Sequence, residues 1–236
     1  QCDFTGKELI NRTTKRIVRG MVIVHVFGNP IDMKRIMKLK EKYNLFVLED
    51  ATEALGSFIE NQDGQRVHCG GVGDIGVLSF NANKIITTGG GGMVVSQNKE
   101  YINRIRHLSI QAKIDSPFFI HDEIGFNYRL SNLHAALGVN QMDYLDEFIE
   151  TKIRHYKLYQ ELINEIPGLS LLHFNENTRA NHWFYSVYVD ESSYGISRDS
   201  LISALENQGI MTRPIWDLIH RQKPYESEIS FKIEKA

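Results

Sequence analysis

The sequence predicts an α/β fold, and three observations carry that prediction. Apolar, β-branched runs at 21–28 and 45–50 flank a segment of helical periodicity, the spacing of a βαβ unit with its right-handed crossover. Two further strand-like runs, at 76–80 and 93–96, bracket four consecutive glycines at 89–92. A long helical pattern starting at Ser131 then leads into a second, shorter set of α/β elements.

Taken in order, Met21-Val22-Ile23-Val24-His25-Val26-Phe27-Gly28 reads as a strand buried on both faces, with His25 a satisfied core histidine. A helix follows over 31–43, where Met33, Ile36, Met37 and Tyr43 form the apolar side and Lys38, Lys40 and Lys42 the solvated one. Leu45-Phe46-Val47-Leu48-Glu49-Asp50 is a short apolar strand that stops at two acids. A short helix from Ala51, a loop through Cys69-Gly70-Gly71 and the strands at 76–80 and 93–96 come next. The pattern over 99–107 is helical, and a polar stretch containing Pro117, Phe118 and Phe119 reaches Asn127. Ser131 caps a helix that runs to Ile166 with a bend at Gly138, and Leu145, Phe148, Ile149, Ile153, Tyr156, Tyr159 and Ile163 make its apolar stripe. Pro167-Gly168 ends it. Strands at 169–173 and 183–189, a helix capped near Ser197 and stopped by Gly209, and a strand at 210–216 complete a smaller α/β unit. The expected domains are therefore 1–166, including the connecting helix, and 167–236.

A chain of 236 residues with 42% hydrophobic content can bury a sizeable core, and its formal charge of -2 gives no reason to expect nucleic acid or an anionic membrane as partner. Cys2 and Cys69 form neither a disulfide framework nor a metal-ligand spacing, which suits a reducing, cytoplasmic compartment. The apolar run at 21–27 falls far short of the ~20 residues that cross a bilayer. His121-Asp122-Glu123 has metal-ligating chemistry, but consecutive residues do not converge easily on one ion, so no metal is expected.

Chemistry concentrates around Lys84, which lies between the 76–80 strand and the glycine run in Ser79-Phe80-Asn81-Ala82-Asn83-Lys84-Ile85-Ile86-Thr87-Thr88. A lysine confined there loses solvation, its pKa falls, and the neutral amine can condense with a carbonyl; a solvated surface lysine beside a flexible loop is the bland alternative. Asp50 ends a parallel strand at the sheet edge where α/β folds bind ligands, and a carboxylate there suits the protonated ring nitrogen of a pyridine cofactor. It reads equally as an acid complementing a helix dipole.

Five blocks together resemble the DegT/StrS sugar aminotransferases, which use pyridoxal 5'-phosphate (PLP). They are Val47-Leu48-Glu49-Asp50-Ala51-Thr52-Glu53-Ala54-Leu55-Gly56-Ser57; Gly73-Asp74-Ile75-Gly76 with Ser79 through Lys84; Thr87 through Val95; Gly125-Phe126-Asn127-Tyr128-Arg129-Leu130-Ser131-Asn132 with Ala135-Ala136-Leu137-Gly138; and Arg213-Pro214-Ile215-Trp216. The resemblance implies a partial large domain of the aspartate-aminotransferase-like fold type I and a partial, smaller C-terminal α/β domain. It also implies that Lys84 is the PLP lysine and proton shuttle, and that Asp50 is the partner of the ring nitrogen. Ser79 becomes a donor to the cofactor phosphate, and Asn127 a residue sent to a second subunit's phosphate in a homodimer. Glu53 falls where relatives have Gln or His near the phenolic oxygen, and a carboxylate there repels a phenolate unless one of them carries a proton. Tyr128 and Arg129 would reach the nucleotide sugar, and Arg213 a carboxylate or diphosphate; loop packing and a structural salt bridge are their alternatives.

The activity so implied is amination of a nucleotide-linked keto sugar, with C4 of a UDP- or GDP-linked 4-keto-6-deoxyhexose as acceptor and glutamate as donor. The blocks resemble members that serve legionaminic acid, bacillosamine or perosamine synthesis. Neither the glycine-threonine phosphate turn nor the ring-stacking side chain of the family is identifiable, so the chain is expected to be a fragment. A non-catalytic scaffold or regulator of the same fold is the alternative function.

Overall fold

The computed structural model describes residues 1–236 except 62, 116, 176, 177, 232 and 234–236. Two compact units divide it: Gln1–Tyr159 with His173–Tyr185, and Gln160–Leu172 with Ser186–Ala236. This differs from a single cut at 166/167, because the 173–185 segment is anchored on the first unit. There Asn181 and Trp183 are buried, and the Asn181 side chain donates to the carbonyls of Glu53 and Leu55 at 2.8 and 2.9 Å.

The first unit begins with an antiparallel meander of β1 (Cys2–Phe4), β2 (Leu9–Asn11) and β3 (Ile17–Val18). β4 (Gly20–Val24), α1 (Met33–Tyr43) and β5 (Phe46–Asp50) then form the expected parallel pair and crossover helix, with Ile23 opposite Glu49. The Asp32 side chain caps α1 by accepting from the Arg35 N–H. A hairpin of β6 (Phe58–Glu60) and β7 (Arg66–His68) precedes β8 (Ile75–Ser79) and β9 (Gly92–Val95). The central sheet has the order β4-β5-β8-β9, with β9 antiparallel to β8. On one face, Ile23, Val47 and Leu78 join Met33 of α1, Ala51, Ala54, Ile59 and Cys69 in the core. α2 (Lys99–Leu108), the small pair β10 (Lys113–Asp115) and β11 (Ile120–His121), α3 (Asn132–Met142) and most of α4 (Leu145–Ile163) complete this unit.

In the second unit, β12 (Leu169–Leu171) pairs antiparallel with β13 (Val187–Val189), followed by α5 (Glu191–Tyr194) and α6 (Arg198–Asn207). Ser197 caps α6, and Gly209 follows it at a φ of 76° that suits glycine.

Several expectations are corrected. The strand expected at 21–28 stops at Val24, since Phe27 adopts a φ of 58° in a 3-10 turn. It is not buried on both faces: β4 is an edge strand whose Val22 is 66% exposed while neighbouring Ile23 is 7% exposed. No helix starts at Ala51; the chain makes successive turns there, with Ala54 N–H bonded to Ala51 O and Ser57 N–H to Ala54 O. The Asp50 and Glu53 side chains bond backbone N–H groups of Thr52 and Phe27, which competes with a helix. The long helix breaks after Met142, not at Gly138. Gly138 instead permits close approach, because a Cβ there would lie 2.8 Å from Thr88 Cγ2. Residues 210–216 form no strand, and the strand expected at 183–189 is confined to Val187–Val189.

Candidate functional site

The alternation of β5 separates its two terminal acids. Glu49 shares the core face with Ile23 and is fully buried, whereas Asp50 shares the opposite face with Val77 and Ser79, its neighbours on β8. Glu49 satisfies the turn into β8: it accepts from Gly70 N–H at 2.8 Å, Val72 N–H at 2.7 Å, Gly73 N–H and His25 Nε2 at 3.0 Å. Because Ile31 N–H donates to His25 Nδ1 at 3.1 Å, Nε2 carries the imidazole hydrogen. His25 is thus a satisfied core histidine. Burial pushes the Glu49 carboxyl up, but the bonds from His25, Gly73 and Gly70 together hold it below its ordinary value.

Asp50 accepts from Thr52 N–H at 3.1 Å and from its hydroxyl at 2.7 Å, both on Oδ1. Among the described residues Oδ2 takes no hydrogen bond. Ser79 Oγ accepts from Asn81 N–H at 3.2 Å, which leaves its hydroxyl hydrogen to donate elsewhere. One sheet face therefore offers a carboxylate acceptor and a hydroxyl donor.

Beyond β8, Lys84 N–H closes a turn onto Asn81 O at 3.1 Å. The connection back to β9 is held by Gln141 of α3, which accepts from Thr87 N–H at 3.0 Å and donates to Thr87 O at 2.6 Å. The Lys84 side chain is 13% exposed; its Nζ lies 3.9 Å from Glu53 Oε1 and 3.9 Å from the centre of the Trp183 ring. Glu53 Oε2 accepts from Phe27 N–H at 2.6 Å. Burial lowers the Lys84 pKa, against the opposing pull of Glu53 and Asp50, and raises that of Glu53. Both groups are pushed toward neutrality, the condition in which a lysine is nucleophilic and a carboxyl can donate.

Asp50, Glu53, Ser79 and Lys84 thus belong to one region of the first unit. Asn127, Tyr128 and Arg129 are exposed in a loop that pairs with Ser109 to Gln111, and Tyr128 stacks on Phe126 at 4.9 Å. None of the three hydrogen-bonds or ion-pairs with the Lys84 group among the described residues. Arg213 is exposed in the second unit. His121 bonds the Gln111 carbonyl, while Asp122 and Glu123 both turn to His107, at 2.7 and 3.5 Å. Arg104 grips both oxygens of Glu123, which ties that carboxylate into a surface ion pair.

Sequence reasoning missed Glu49 as a buried anchor, and Asn181 and Trp183 as site residues. Their signal is faint: a polar residue and a tryptophan two apart, outside any motif. Trp183 Nε1–H donates to Asn83 O at 2.7 Å, and Trp183 N–H donates to Asn181 Oδ1 at 3.0 Å.

The model of the DegT/DnrJ/EryC1/StrS aminotransferase family matches residues 5–235. The chain is 32% identical over 216 residues to the putative pyridoxal phosphate-dependent aminotransferase EpsN of Bacillus subtilis, covering 92% of this chain and 54% of the relative. It is 33% identical to the GDP-perosamine synthase of Vibrio cholerae, covering 93% of this chain and 57% of the relative. The crystal structure of DesI in the presence of its TDP-sugar product superposes with a TM-score of 0.79 at 28% identity, over 89% of this chain and 52% of that one. The chain spans about half the length of the curated relatives it matches. These likenesses bear out the fold expected from the sequence, a part of the two-domain fold type I architecture.

Proposed function

The chain belongs to the DegT/DnrJ/EryC1/StrS aminotransferase family, and from that premise we propose that it aminates the keto carbon of a nucleotide-linked sugar. The acceptor carbon in this reading is C4 of a UDP- or GDP-linked 4-keto-6-deoxyhexose, and glutamate is the amino donor. The observation that carries the proposal is the enclosure of Lys84 Nζ between Glu53 and Trp183, in the region of Asp50 and Ser79. The relative named a GDP-perosamine synthase supports a nucleotide sugar as substrate.

The residues present fit the family's cofactor. When bound, PLP supplies an aldehyde and a ring that withdraws electrons from the substrate carbon. Asp50 would accept the ring nitrogen's hydrogen, and the Ser79 hydroxyl would donate to the phosphate. Lys84, with its ammonium form disfavoured by burial, would be the amine that holds the aldehyde, and its Nζ would be the group that accepts and returns a proton. Glu53, locked through Oε2 to Phe27, turns Oε1 toward the lysine and would serve the phenolic side of the ring. Asn127, with Tyr128 and Arg129 beside it, serves a second copy's site, so the working unit is a cytoplasmic homodimer. Arg213 meets the donor's carboxylate or the nucleotide's diphosphate. No described helix is long and apolar enough to cross a membrane.

The test is the absorbance of the purified chain with PLP. A visible band that borohydride bleaches and that Lys84→Ala never acquires supports this reading and licenses assays with keto sugars. No band with the wild-type chain leaves the inactive scaffold as the better account.

A further inference from the structure

Trp183 is among the largest fully buried side chains of the first unit. It is 2% exposed, stacks on Phe184 at 3.8 Å between ring centres, and is pinned through both of its N–H groups. One of those bonds ends on Asn83 O, the carbonyl immediately before Lys84. The other ends on Asn181, whose own backbone N–H donates to Ser57 Oγ at 2.9 Å. The intervening His182 takes a φ of 51°, and that left-handed turn accompanies two buried neighbours, Asn181 and Trp183. The ring is therefore tied to the loop that carries the lysine and to the turns that carry Glu53.

We propose that Trp183 is a positioning residue whose indole face holds the ammonium end of Lys84 in place whenever no carbonyl is bound to it. The Nζ-to-ring distance of 3.9 Å lies well inside the ~6 Å reach of a cation–π contact, and the Lys84 side chain is only 13% exposed. Of the charged groups facing Nζ, Glu53 stands at 3.9 Å and Asp50 acts from farther off; both favour the ammonium form that the indole also attracts. A lysine stem otherwise samples many rotamers; a fixed resting place keeps Nζ beside Glu53 or solvent, which takes its proton, so that the free amine adds to an incoming aldehyde from a short distance and water leaves. That consequence rests on Lys84 being the cofactor lysine; the contact itself does not.

The chain has two tryptophans, Trp183 and the exposed Trp216, so Trp216→Phe leaves Trp183 as the sole indole reporter. Its fluorescence is titrated across the lysine range without cofactor, alone and combined with Lys84→Met. A step below the ordinary lysine range that disappears with Lys84→Met is the expected result. Superimposable curves overturn the proposal, and because Trp183 is retained, a misfolded tryptophan variant cannot confuse the outcome. The second measurement is the rate of PLP capture. Trp183→Phe keeps a π face without the indole N–H and is expected near the wild-type rate, whereas Trp183→Leu is slower by about tenfold. Equal slowing in both overturns the positioning role and assigns the effect to the Asn83 anchor. A wild-type chain that captures no PLP defeats the functional reading instead, and the fluorescence pair still decides the contact.

Discussion

Lys84 Nζ lies 3.9 Å from Glu53 Oε1, with the two side chains only 13% and 12% exposed. Burial drives the pair toward neutrality and their mutual attraction opposes it. Replacing Glu53 with Gln removes the charge that favours the ammonium while keeping the acceptor for Phe27 N–H. The Lys84 pKa is therefore expected to fall further. Acylation of Lys84, followed by peptide mass spectrometry, should begin at lower pH in Glu53→Gln than in wild type; a shift upward would refute the electrostatic link.

Glu49→Gln tests the buried anchor. An amide brings two donors to a place where Glu49 accepts from Gly70, Val72, Gly73 and His25. The expected loss is about 3 kcal/mol, the scale for breaking a buried charged network, read as a lower urea midpoint. The pH dependence has a definite sign. The folded-state pKa of Glu49 is depressed, so its contribution is present above the ordinary carboxylate value and is lost as pH falls through the folded value. The variant should lack that acid-limb component.

Gly138→Ala should destabilise, against the usual preference of an open helix for alanine. The added methyl meets Thr88 Cγ2 at 2.8 Å, and Thr88 is 2% exposed, so the cost is about 1–3 kcal/mol as for other overpacked sites. Thr88→Ser removes Cγ2 while keeping the hydroxyl that bonds Gly90 O. Added to Gly138→Ala, it should restore most of the loss in thermal melts; no recovery would place the clash elsewhere.

His182 sits against Phe174 and Tyr156, and its Nδ1 is buried without a hydrogen-bond partner among the described residues. Burial, aided by Lys157, lowers its pKa from 6.5 to about 4. The unfolded chain therefore binds this proton first, and stability is expected to decline as pH falls from 6.5 to about 4. His182→Phe keeps a ring between the same neighbours and removes both the orphan nitrogen and the titration. Denaturant midpoints for the variant should be flatter over that window.

What was readable in advance had local causes. The helix expected at 31–43 forms as Met33–Tyr43 because its apolar spacing and the Asp32 cap lie within the segment itself. Ser131 and Ser197 likewise cap the helices they were expected to cap. The glycine run likewise forms the turn expected of it, since a tight turn needs residues that tolerate positive φ, as Gly89 and Gly91 do.

The sequence by itself determined the α/β order of most elements and the family to which the chain belongs. Tertiary structure alone decided which face each acid occupies, where the first strand of the βαβ unit ends, and what touches Lys84. Those outcomes turn on partners distant in the chain: Glu53 captures Phe27 N–H from 26 residues away, and Trp183 reaches Asn83 from 100. Periodicity and caps report only neighbours along the backbone, whereas a buried polar group takes whichever partner the folded chain brings within hydrogen-bonding distance.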